Sequence, residues 1–249
     1  MGNKVIGKVG PKLGLYEIDT DEQLSASIGF LREMDDGRMF RLCRNSVAAA
    51  LAPGLLVQAK ADTAYSEELV VAVAGAVGDT TLSVTVTSGH EDLSENELRD
   101  GYFAASGTAG ELGHGRKIKG NTAAVAGAIT ILTFYDALTD VITISSYGAW
   151  IFPIYTDVVV DAGSAKAIGC PICDVTISVA ATGYYYFWAQ VAGPCPIISG
   201  GELIAGDNVM SGGDGSVIAT TGTTPETVGV AMQAVTASGD VGWIWLNIE

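Results

Sequence analysis

The chain has 249 residues, with 28 Asp and Glu against 13 Lys and Arg for a formal net charge of -15, yet 48% of it is apolar and only 16% charged. That length holds one large β domain or two smaller ones, each with a real core. The acid excess excludes nucleic acid as a partner, because phosphate binding relies on Lys and Arg; the longest nearly apolar stretch, Thr122 to Tyr135, is shorter than the roughly 18 residues of a membrane helix, so no membrane partner is expected.

The beginning, Met1 to Lys8, has neither a signal-peptide apolar region nor a cleavage site, and Ile6 stands where a myristoylation motif has Ser or Thr. Synthesis in a reducing cytoplasm is the expectation, with Cys43, Cys170, Cys173 and Cys195 as free thiols. The 32 glycines, together with many Val, Thr and Ala, favour short strands joined by tight turns.

Residues 1–27 read as an extended N-terminal arm punctuated by Gly2, Gly7, Gly10, Pro11 and Gly14. A β-rich body follows over 28–249. It opens with a hairpin, Ile28 to Met34 and Arg38 to Arg44, turning at Asp35-Asp36-Gly37. Leu55 to Ala59 reads as a strand, as do Glu68 to Ala74 and Thr80 to Thr87; the alternation in the last marks a half-buried strand, and its doubly apolar neighbour is expected inside. Glu91 to Arg99 is the one short helix expected, since acidic residues crowd its first turn.

Further strands are expected at Gly101 to Ala105, Arg116 to Asn121, Ala128 to Phe134, Val141 to Ser145, Thr156 to Val160, Cys173 to Val179, Tyr184 to Gln190, Cys195 to Ser199, Gly206 to Met210 and Ser216 to Thr220. Turn signals every 8 to 12 residues or so are the spacing of a sandwich or barrel. The chain closes on Val228 to Val235 and Val241 to Ile248, with Trp243 and Trp245 on one side of a last strand that needs cover. The fold class is therefore all-β, with sandwich or barrel-like domains.

Sites for chemistry are few. Two histidines, His90 and His114, restrict acid-base and metal catalysis, and both read as exposed turn residues. The basic residues from Arg32 to Arg44 and from Arg116 to Lys119 read as solvent-facing hairpin positions. Gly110 and Gly115 have phosphate-loop spacing, but Arg116 and Lys117 replace the Lys-Ser/Thr pair, Glu111 repels phosphate, and a strand follows where a helix is needed. Cys170-Pro-Ile-Cys173 has the spacing of a metal or redox pair. A zinc site there needs Cys43, Cys195 or a histidine to complete it, and unligated thiols are the simpler expectation. Tyr184 to Trp188 invites sugar stacking, although core or interface is the stronger reading. Asp35, Asp36, Asp207 and Asp214 sit at glycine turns, which turn formation explains. No catalytic, cofactor-binding or metal residue is assigned, no cofactor is expected, and the chain reads as a non-enzyme.

Three stretches resemble bacteriophage capsid decoration, or cement, proteins. They are the hairpin Arg32 to Arg41 with Leu51-Ala-Pro-Gly-Leu-Leu-Val-Gln, Asp100-Gly-Tyr-Phe with Arg116-Lys-Ile-Lys-Gly-Asn, and Tyr184 to Pro194. The closing Val228-Gly-Val-Ala with Ser238-Gly-Asp-Val is also similar to the family's last hairpin. The resemblance implies a β-rich structural virion protein on the outer capsid surface, a homotrimer that binds neighbouring major capsid subunits through its arm and apolar faces. The chain is longer than the smallest members, and its extra length at about 62–150 has room for a second β lobe. The competing reading is a glycan-binding or adhesive β module built on the aromatic strand or the turn aspartates.

Overall fold

The computed structural model describes residues 13–20, 27–46, 50–60, 69–106, 115–176, 184–220 and 227–248. All regular structure in these residues is β. Residues 1–61 and 154–249 form one compact unit, and residues 62–153 form a second, inserted one.

In chain order the strands begin with β1 (Leu31–Glu33), β2 (Met39–Arg44) and β3 (Val57–Gln58). The inserted unit supplies β4 (Leu69–Val73), β5 (Thr81–Thr85), β6 (Tyr102–Ser106), β7 (Gly115–Asn121), β8 (Ile129–Phe134) and β9 (Tyr147–Ile151). Then follow β10 (Val159–Val160), β11 (Ala167–Pro171), β12 (Tyr186–Ile198), β13 (Asn208–Ser211), β14 (Val217–Ala219), β15 (Gly229–Ala231) and β16 (Val241–Asn247).

The inserted unit is a closed antiparallel barrel in the order β4-β5-β8-β7-β6-β9, with β9 returning to pair β4. Closure leaves no free edge. Leu69, Val71, Leu82, Val84, Phe103, Ile118, Leu132, Phe134 and Trp150 fill its interior. Along β8 the alternation turns Ile129 and Ile131 outward and Thr130 inward, where its hydroxyl donates to the Thr122 carbonyl at 2.7 Å.

The other unit is a ten-stranded sheet centred on the 13-residue β12. β2 and β11 flank its first half, and β16 pairs its second half from Ala192 to Ile198. Phe187 and Ala189 pack in one core cluster and Tyr186 and Trp188 in another, so the strand is covered on both sides there. The hairpin β1–β2 forms as its Asp-Gly turn predicts, with Gly37 at φ 84°.

Several expectations are corrected. Glu91 to Arg99 is not a helix: Leu93 bridges Ala124, residues 95–100 are turns, and Asn96 and Asp100 take positive φ, which a right-handed helix does not admit. Val141 to Ser145 is not a strand; Ile142 makes one bridge to Gly75, and the strand lies later, at β9. The strand expected from Cys173 lies earlier, at β11, with Cys173 in a bend and 177–179 outside the described residues. Tyr184 to Gln190 and Cys195 to Ser199 fall largely in one strand, because the flanking β2 and β16 together pair it across Gly193, a glycine that tolerates φ 85° there. β4 is not inside on both faces, since barrel closure turns Val70 and Val73 to solvent. Within the arm, Leu13 is buried against Trp188, and Asp19 bridges Tyr186.

Candidate docking face

The residues singled out for chemistry are dispersed or engaged in the fold. His90 is buried, not exposed: its Nδ1–H donates to the Glu91 carbonyl at 2.7 Å, and its ring meets Trp150 edge-on and stacks on Phe152. His114 and Gly110 lie outside the described residues, and Gly115 opens β7. Cys170 and Cys195 share one core cluster, while Cys43 and Cys173 belong to another. A hydrogen bond with Cys170 and burial push the Cys195 thiol far up, and burial beside Asp174 raises Cys173. Raised thiols are poor nucleophiles and poor ligands. Among the described residues no three His, Cys, Asp or Glu side chains are grouped to hold a metal.

The turn aspartates close their own turns. Asp36 accepts the Arg38 N–H and Nε–H, Asp207 the Ile204 N–H at 2.8 Å, and Asp214 the Ser216 N–H at 3.0 Å, while Asp35 is exposed. The arginines of the β1–β2 hairpin are not free solvent-facing charges. Arg32 lies 4.7 Å over Trp188, Arg44 4.1 Å over Tyr184, Arg41 5.6 Å over Tyr155 and Arg38 5.6 Å over Phe40. Tyr186, Phe187 and Trp188 are buried, so that part of the aromatic run is core and offers no face to a sugar, while Tyr184 and Tyr185 are half-buried.

What the first unit does present is an apolar sheet face. β16 alternates strictly: Gly242, Ile244 and Leu246 point into the core, whereas Val241, Trp243 and Trp245 point out, the two indoles about half exposed. The register sets Pro194 opposite Trp245 and Pro196 opposite Trp243 on one side, and Val230 opposite Trp245 on the other. Met232 donates its N–H to the Trp243 carbonyl and is itself exposed. These neighbours are all uncharged.

The prolines fit this position for a backbone reason. Ser199 donates toward β16, to Asp240, while Ile198 donates away from it, to Gly54. Because strand direction alternates, Pro194 and Pro196 share the orientation of Ile198 and occupy non-hydrogen-bonded positions of the β12–β16 ladder. Their missing N–H groups cost that ladder nothing, and cross-strand side chains are closest at such pairs. Two half-exposed indoles leave roughly 100 Å² each open, so covering both is worth about 4–5 kcal/mol at 25 cal/mol per Å².

The barrel has a separate face of the same character. Tyr147 pairs Val70, Val70 pairs Thr85, and Thr85 pairs Ile129, in one row across β9, β4, β5 and β8. Val73, Ser83 and Ile131 make a shorter second row. Tyr147, Val70, Val73, Ile129 and Ile131 are exposed. The sequence marked the indole pair but missed the barrel face, whose period-2 signal at Ile129 and Ile131 is readable only once Thr130 is known to point inward. No protein-family model, no curated protein and no solved structure matches this chain.

Proposed function

We propose that this chain is a structural virion protein, a capsid decoration protein that stabilises a phage head by binding neighbouring major capsid subunits. The observation that carries the reading is that each of the two units keeps an uncharged apolar sheet face open to solvent, one around Trp243 and Trp245 and one around Tyr147, Val70 and Ile129. A cement protein has two contacts to make, one with the lattice and one with its own copies. Two faces on two units suit that division, with the barrel face as the lattice contact. Exposed apolar patches of this kind mark interaction sites more often than they mark nothing.

The test is co-sedimentation of the purified chain with heads that lack it. The expected result is saturable pelleting, reduced at least tenfold by V70D/I129D with the solution mass unchanged. Failure of the unaltered chain to pellet ends this reading. The glycan-binding alternative loses Tyr186 to Trp188 but keeps the exposed Trp243 and Trp245 pair; a glycan array with W243A/W245A as control decides it.

A further inference from the structure

We infer that the Trp243/Trp245 face is the seat for residues 1–12 of a second copy of this chain, a head-to-tail contact that builds the oligomer. The argument rests on how charge is distributed. From Ala167 to Glu249 the chain has seven Asp and Glu and no Lys, Arg or His. The strands around the indoles belong to that stretch, and exposed carboxylates border them: Asp240 directly precedes Val241, and Glu202 adjoins Leu203, which bridges Val235.

Arg38 packs on Gly193 at the other end of the ladder but is paired with Asp36 at 2.8 Å, so the net charge around this apolar centre is acidic, and a two-fold pairing of these faces brings like charges together. The matching surface is apolar with basic residues interleaved. Residues 1–16 have that pattern: Lys4, Lys8 and Lys12 alternate with Val5, Ile6 and Val9, and the first carboxylate is Glu17. The arm is anchored where it meets the body, since the Leu13 carbonyl accepts the Trp188 indole N–H and an Arg32 N–H. Twelve residues beyond that anchor reach up to about 40 Å, enough to cross to a neighbouring molecule. A heterologous contact of this kind closes into a ring when its rotation permits, which is how a trimer forms.

This inference concerns contacts between copies and stands whether or not the chain binds a capsid. It is tested by light scattering on the full chain in 50 and 500 mM NaCl. The expected result is an oligomer whose dissociation constant rises at least tenfold at the higher salt. K4E/K8E/K12E and E202K/D240K are each expected to be monomeric, and the five changes combined are expected to restore the oligomer. A synthetic peptide of residues 1–12 is expected to bind K4E/K8E/K12E and to change its tryptophan fluorescence. The inference is overturned if the unaltered chain is monomeric, as it is when the arm seats on its own body. It is equally overturned if either charge reversal leaves the mass unchanged, or if the combined variant stays monomeric while circular dichroism reports an intact fold.

Discussion

The indole N–H of Trp188 donates to the carbonyl of Leu13 at 3.2 Å, a bond that spans 175 residues and ties the start of the chain to its central strand. Trp188 is wholly buried and carries the Arg32 guanidinium over its ring, so one side chain satisfies a donor, fills the core and seats a cation. W188F keeps an aromatic ring but removes the donor and leaves a gap. It is expected to lower stability by about 2–4 kcal/mol, part from the bond and part from the cavity. Urea unfolding followed by far-UV circular dichroism measures this, and a midpoint within error of the unaltered protein contradicts the role assigned to Trp188.

Asn121 governs the segment from Ser94 to Leu98. Its Oδ1 accepts the Leu98 N–H at 2.9 Å, and its Nδ2 donates to the carbonyls of Ser94 and Thr122. N121A strands the buried Leu98 N–H, at about 1–3 kcal/mol, and releases the part-buried carbonyls of Ser94 and Thr122. The barrel is expected to lose protection from proteolysis near residues 94–98 before the other unit does. Limited proteolysis with mass mapping reads this directly, and cleavage elsewhere first contradicts it.

The same residue explains why a helix was expected there. Glu91, Asp92 and Glu95 look like an acidic helix start, and nothing local in the sequence says that an asparagine 23 residues beyond Leu98 will take its N–H. The β1–β2 hairpin was legible because its cause is local, an Asp-Gly turn between alternating strands. The join of two expected strands into β12 was not, since Gly193 and Pro194 read as a break and only the flanking β2 and β16 carry the strand through. Of the docking face, the shared side of Trp243 and Trp245 follows from period-2 alternation alone. Their exposure does not, because it depends on Ile244 and Leu246 claiming the core side.

Asp214 links the β13–β14 turn to pH. The Ser216 hydroxyl and then its N–H, both donating to Oδ1, hold this carboxyl below the ordinary aspartate range. A pKa depressed by folding contributes stability that is fully present above the unfolded value of about 3.9 and is lost as pH falls through the folded value. The melting-temperature difference between the unaltered protein and D214N is therefore expected to be small and constant above about pH 5, and to shrink as pH falls below the aspartate range. A difference that persists unchanged to pH 2 contradicts the assignment.

Pro194 and Pro196 are expected to guard an edge. From Gly193 to Ile198 β12 pairs β16 on one side, and among the described residues no strand pairs it on the other. The Gln190 side chain takes up the carbonyls of Ala192 and Pro194 there, and the Ile198 N–H goes to Gly54, so the two prolines withhold the remaining donors that an incoming strand would use. P194T/P196T restores both donors with a residue that favours strands. Because these positions make no ladder bond with β16, the fold is expected to survive, with far-UV circular dichroism unchanged. What changes is the edge: the variant is expected to gain a concentration-dependent, salt-insensitive rise in light scattering and thioflavin binding. Salt separates this from the arm-mediated oligomer, which weakens as ionic strength rises. If the double variant keeps the mass and dye response of the unaltered protein, the prolines serve the packing of Trp243 and Trp245 alone and the edge needs no guard.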